Sequence, residues 1–119
     1  MKYYFSSFLL IFTLASSAHA GTAINCHEID NMDSSAIETC VEQTDRHLNE
    51  NYEQLKNIHK DAPEKLNLLK EMQLGWIKMR DAQCEFAMKN TGSNAALAGM
   101  ICQVKLTQKR ADEIEEMAQ

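Results

Sequence analysis

The sequence predicts an all-α protein, an antiparallel three-helix up-down-up bundle with an extended N-terminal lead-in, stapled by two disulfides. Three observations carry this expectation. Apolar residues recur every three or four positions through three long stretches. Turn residues separate those stretches, Asp61-Ala62-Pro63 first and Asn90-Thr91-Gly92-Ser93 second. Four cysteines, Cys26, Cys40, Cys84 and Cys102, all follow a leader that directs the chain to an oxidising compartment.

The leader occupies residues 1–20. A charge at Lys2, an apolar run over 8–15 and Ala18-His19-Ala20 ahead of Gly21 fit a secretory signal peptide with an A-x-A cleavage site after Ala20. The apolar run is too short to cross a bilayer. Ala23-Ile24-Asn25 before Cys26 is not a lipobox, so the expected product is soluble, periplasmic or secreted, with no membrane insertion after signal removal. The remaining domain, 21–119, has the size of a single domain with a modest core.

The whole chain has 12 basic and 17 acidic side chains and a formal charge of −5, which becomes −6 when Lys2 leaves with the signal. Nucleic acid is therefore disfavoured as a partner, whereas a cationic protein would be attracted at long range. The plainer reading, acidity as a route to solubility, ranks first.

Residues 21–33 show no period and read as the extended lead-in, tied down by Cys26. Asp33, Ser34 and Ser35 offer helix caps, and Ser35-Ala36-Ile37-Glu38 fits a capping box that opens the first helix. Ile37, Val41, Leu48, Tyr52, Leu55 and Ile58, with Thr44 in the gap, give it one buried face to about Lys60. Pro63 at the start of the second helix sacrifices no hydrogen bond, since its missing N–H would be unpaired there.

The second helix is expected over 63–89, with Trp76 at its middle. Leu66, Leu69, Met72, Ile77, Met79 and Phe86 fall within about 100° of Trp76 on a helical wheel. So wide an apolar arc predicts that this helix sits between the other two. Gly75, at a cost of ~1 kcal/mol relative to alanine, suggests close approach of a neighbour. The third helix, from about Asn94 to Met117, should bury Leu97, Met100, Ile101, Val104, Ala111 and Ile114. Short loops make sequential helices antiparallel.

That topology puts the cysteines at one end, so geometry alone leaves the pairing open. Cys26–Cys40 with Cys84–Cys102 is favoured because each closes a local loop, worth roughly 3 kcal/mol by chain entropy. Cys40 with Cys84 remains open. Zinc is the lesser alternative, because no C-x-x-C pair is present.

Chemistry-bearing residues are sparse. Arg80 lies one turn beyond Trp76, so its guanidinium can stack on the indole, and with Gln73 and Gln83 it could form a polar binding strip. The structural reading outweighs it: a buried arginine paired with a carboxylate such as Asp45 or with helix-end carbonyls. His27, His47 and His59 lack metal-ligand spacing, Ser34 and Ser35 precede no nucleophile elbow, and Glu113 with Glu116 resembles a solvated face. The methionines read as core filling. No catalytic constellation, metal site or cofactor box emerges, so an enzyme is the least supported class.

Leu48-Asn49-Glu50-Asn51-Tyr52, then Gln73-Leu74-Gly75-Trp76-Ile77-Lys78-Met79-Arg80-Asp81-Ala82-Gln83-Cys84, then Gly92-Ser93, Cys102 and Arg110, resemble the LprI-type lysozyme-inhibitor domain. This is a family of small exported bacterial α-helical proteins. The pattern spans nearly all of the exported chain, with mild departures at Met72 and Thr91. The resemblance implies scaffold roles: Trp76 in the core, cysteines as staples, Arg80 and Arg110 in ion pairs. It also implies a periplasmic, non-catalytic binding protein whose partner is a cationic lysozyme or other cell-wall hydrolase. Asn90, Thr91, Gly92, Ser93 and Asn94 form the expected target-contact loop. The alternatives are an immunity protein against a cell-wall-degrading toxin, or an envelope chaperone or assembly factor, which should expose an apolar groove.

Overall fold

A computed structural model describes residues 24–119, and the predicted leader lies outside them. Three long helices account for most of this chain: α1 (Ser34–Ile58), α2 (Pro63–Lys89) and α3 (Ala95–Met117). Short 3-10 segments, Cys26–Asn31 and Gly92–Asn94, precede α1 and α3. The lead-in is therefore not extended. Cys26 and Ile29 turn inward from its 3-10 coil and are almost wholly buried against α1 and α3. Six residues are too few to show a period.

The start of α1 differs in detail from the expected box. Asp33 is the cap, its Oδ1 accepting from the Ala36 backbone N–H at 2.8 Å. Ser35 instead lies within the helix, its carbonyl accepting from Thr39 Oγ1 at 3.0 Å. Pro63 opens α2 as predicted. At its far end the Thr91 hydroxyl donates to the Met88 carbonyl at 3.0 Å, and Gly92 takes a positive φ of 61° that turns the chain into α3.

The helix in the middle is α3, not α2. It packs along both other helices, whereas α1 and α2 barely touch each other. Near the cysteines, Ile37 and Cys40 meet Val104, with Leu97, Met100 and Ile101 half-buried around them. Toward the other end, Leu48 and Leu55 of α1 join Ala111 and Ile114 of α3 and Leu69 of α2. Successive levels of α1 thus meet successive levels of α3. On α2 the order reverses: Gln73 reaches Arg110, Arg80 reaches Thr107, and Cys84 reaches Cys102.

This arrangement corrects the reading of the wide apolar arc on α2. One part, Leu69 with half-buried Leu66, Trp76 and Ile77, lies on the core side. The rest is open to solvent: Met72 is 40% exposed, Met79 45% and Phe86 69%, and Leu68, which was not among the residues expected inside, is 58% exposed beside them. Gly75 shares that open face, and a Cβ placed there would meet nothing within 4 Å. It allows no close approach within the chain. The glycine that does is Gly99, where a Cβ would stand 2.6 Å from Met88 Sδ. Ile58, expected inside, is also exposed.

Candidate functional site

Two disulfides, Cys26–Cys40 and Cys84–Cys102, resolve the pairing in favour of the two local loops, with Cα separations of 5.6 and 5.5 Å. The first fastens the lead-in to α1. The second joins α2 to α3 beneath the 90–94 turn. No group of histidine, cysteine and carboxylate side chains suited to hold a metal occurs among the described residues.

Around Trp76 the structure assembles a polar cluster on the α2–α3 seam. The Arg80 guanidinium lies 5.1 Å from the indole ring centre and that of Arg110 lies 5.9 Å from it. Residue 80 comes from the same helix one turn on, and residue 110 comes from the facing helix. Arg80 donates to Asp81 from Nε at 3.0 Å and reaches Thr107 Oγ1 at 3.4 Å. Its carboxylate partner is thus the adjacent Asp81, not Asp45, which instead accepts from Asn49 at 3.4 Å. Arg110 donates from Nε to buried Gln73 Oε1 at 3.3 Å and from Nη1 to Glu113 at 3.0 Å.

The cluster holds two cations without an unpaired buried polar side-chain atom. Both guanidinium side chains are about nine-tenths buried, while Asp81 and Glu113 stay partly solvated, so each ion pair keeps one foot in water. Desolvation of the carboxylates is limited by this, and the indole supplies the apolar and π contact for the arginine stems. The cluster is chemically a clasp between α2 and α3, closed by hydrogen bonds and ion pairs around the indole.

Elsewhere the predicted motif residues separate by role. Leu48 is core, Tyr52 is half-buried beside it, and Asn49 is exposed. Asn51, which sequence reasoning did not single out, donates from Nδ2 to the Ala111 carbonyl at 3.0 Å and ties α1 to α3. Thr107 was also missed; it is almost fully buried, on the core face of α3 between apolar positions. Its period with Val104, Ala111 and Ile114 was the signal available.

Asn90, Thr91, Gly92, Ser93 and Asn94 are all exposed at the disulfide end, well away from Trp76. Lys56 sits over Tyr52 at 5.1 Å and bonds Glu53, whose carboxylate holds the ammonium above its ordinary pKa. The Lys56–Glu53 pair is solvated and takes no part in the hydrogen bonds of the clasp.

Lys105 grips both oxygens of Asp30 at 2.8 Å, and the Gln108 amide nitrogen lies 2.8 Å from His27 Nε2. These contacts dock the lead-in on α3 independently of its disulfide. No curated protein and no solved structure matches the chain. The family model described as Lysozyme inhibitor LprI matches residues 26–114, from the first half-cystine of the lead-in to the last buried isoleucine of α3. The chain, with both disulfides and the Trp76 clasp inside that match, belongs to the LprI lysozyme-inhibitor family.

Proposed function

We propose that the protein is a periplasmic, non-catalytic inhibitor of a peptidoglycan-cleaving lysozyme, released into that compartment by cleavage after Ala20. The observation that carries this reading is the family match over 26–114, which takes in nearly the whole fold. Two features of the chain support it. Acidic side chains outnumber basic ones by 17 to 12, which favours encounter with a cationic enzyme. The ordered contacts along α3 support an up-down-up bundle, in which the 90–94 turn projects from a cross-linked end.

Inhibition then proceeds by occlusion. The 90–94 turn enters the glycan cleft and sets the side chains of Asn90, Thr91, Ser93 and Asn94 against its catalytic carboxylates. A turn on a stapled scaffold loses little conformational freedom on binding, which favours affinity. The Trp76 clasp serves as support in this scheme and does not touch the target.

The test is a turbidity assay with purified, oxidised protein and lysozyme acting on bacterial cell walls. Lysis should stop at micromolar excess of the protein. Unchanged lysis would remove the reading. A second reading, an envelope assembly factor, is favoured by the open apolar face of α2. It predicts suppressed aggregation of an unfolded client with no effect on lysis.

A further inference from the structure

The exposed apolar residues of α2 are not scattered. Leu68, Met72, Gly75, Met79, Ala82 and Phe86 are spaced four, three, four, three and four apart, and all six are exposed. That is the a/d repeat of a coiled-coil seam, carried on the side of α2 that neither α1 nor α3 covers. From this seam we infer that α2 pairs with α2 of a second copy of this chain, antiparallel, about a two-fold axis that crosses the seam at the level of residue 77.

Self-complementarity selects the second copy as occupant. Turned end for end about that level, the seam sets Leu68 opposite Phe86, Met72 opposite Ala82, and Gly75 opposite Met79. Each methionine faces a residue small enough to receive it. Gly75 gains a reason for its place, since its Cβ position is open space within the chain and would lie under the partner's Met79. The seam is also continuous with a shallow pocket between Leu55, His59, Leu69 and Met117, whose rim is Leu68 and Met72. Phe86, the most exposed large apolar side chain among the described residues, stands eighteen residues beyond Leu68 at the opposite end of the seam. An antiparallel pair brings each Phe86 over the other copy's pocket. A patch that meets its own complement under a two-fold closes as a dimer.

The area suffices. At their observed exposures Leu68, Met72, Met79 and Phe86 present roughly 400–500 Å² per copy. With Gly75, Ala82 and the aliphatic stems beside the seam, a pair passes the ~1,000 Å² that marks a specific interface. Along the solvent edge, the antiparallel register sets Glu71 near Glu85 of the other copy and Lys78 near its own equivalent. These like charges stay solvated, so salt should strengthen the pairing.

Sedimentation of the purified, oxidised chain should show a concentration-dependent dimer that grows with ionic strength. Phe86→Glu should raise the dissociation constant at least ~10-fold, with helicity and melting of the monomer unchanged because the side chain is exposed. Leu68→Lys should do the same. Mixing those two variants should restore a dimer, because the ammonium introduced at position 68 of one copy would then face the carboxylate introduced at position 86 of the other, while the opposite end of the seam stays native. A monomer at ~200 μM, a dimer indifferent to Phe86→Glu, or no rescue on mixing would overturn the proposal. A monomer whose lysozyme inhibition is lost in Phe86→Glu would assign the face to the target instead, and also overturn it. Sedimentation reads pairing without reference to lysis, so its failure is distinct from failure of the inhibitor reading.

Discussion

Trp76 has two guanidinium groups from different helices at 5.1 and 5.9 Å from its ring centre, and this makes Arg110 more consequential than an ion pair at the surface. Removing it as Arg110→Ala strips the donor from buried Gln73 Oε1 and takes away a guanidinium 5.9 Å from the centre of the indole. The expected loss is about 1–3 kcal/mol, from an unsatisfied acceptor together with lost packing. Thermal unfolding should show a Tm lower by at least ~5 °C. Arg110→Lys should recover little of it, because an ammonium cannot reach Gln73 and Glu113 in the same fork.

The two helical glycines divide by their surroundings. Gly75→Ala should stabilise the monomer by about 0.5–1 kcal/mol in dilute solution, since its Cβ would meet nothing. Gly99→Ala should be nearly neutral in the same denaturation experiment. There the gain in helix propensity is offset by moving the Met88 side chain, which a Cβ would approach to 2.6 Å.

Among the elements, α2 was the most legible in its limits and the least in its placement. Pro63 marked its start, and the Asn90-Thr91-Gly92 turn marked its end. Its wide apolar arc, however, was compatible with two partner helices or with one partner and an open face. A helical wheel gives the width of an apolar surface and not what covers it. The clasp was half-legible for a similar reason: spacing placed Arg80 over Trp76, but Asp81 could be named as its carboxylate only from geometry.

Each disulfide acts on its own element. Replacing Cys84 and Cys102 together by serine frees the ends of α2 and α3, with an expected loss of about 3 kcal/mol by chain entropy. Amide exchange should rise most across 85–100. Replacing Cys26 and Cys40 should instead loosen the lead-in, whose remaining hold is buried Ile29 and the Lys105–Asp30 pair. Alanine substitutions at Ser93 and Asn94 should weaken inhibition at least ~10-fold with little change in Tm, because these side chains are exposed, whereas Thr91, whose hydroxyl bonds the last turn of α2, is left in place.

At the scale of the whole molecule, an acidic, doubly cross-linked helical scaffold of the LprI family is suited to hold a fixed surface against a protein partner. The cysteine pattern and helical periods made the fold class readable, since both follow from local spacing. Which exposed turn would meet a partner is not readable in the same way, because exposed polar turns look alike whatever they touch. Under the proposed function, the oxidised protein binds a cationic lysozyme with electrostatic help. Surface plasmon resonance with immobilised lysozyme, at low and at high salt, tests it most directly. The predicted result is saturable binding whose association rate falls steeply as salt rises, and which is lost on reduction of the disulfides. Absence of binding by the oxidised protein at low salt would contradict the account.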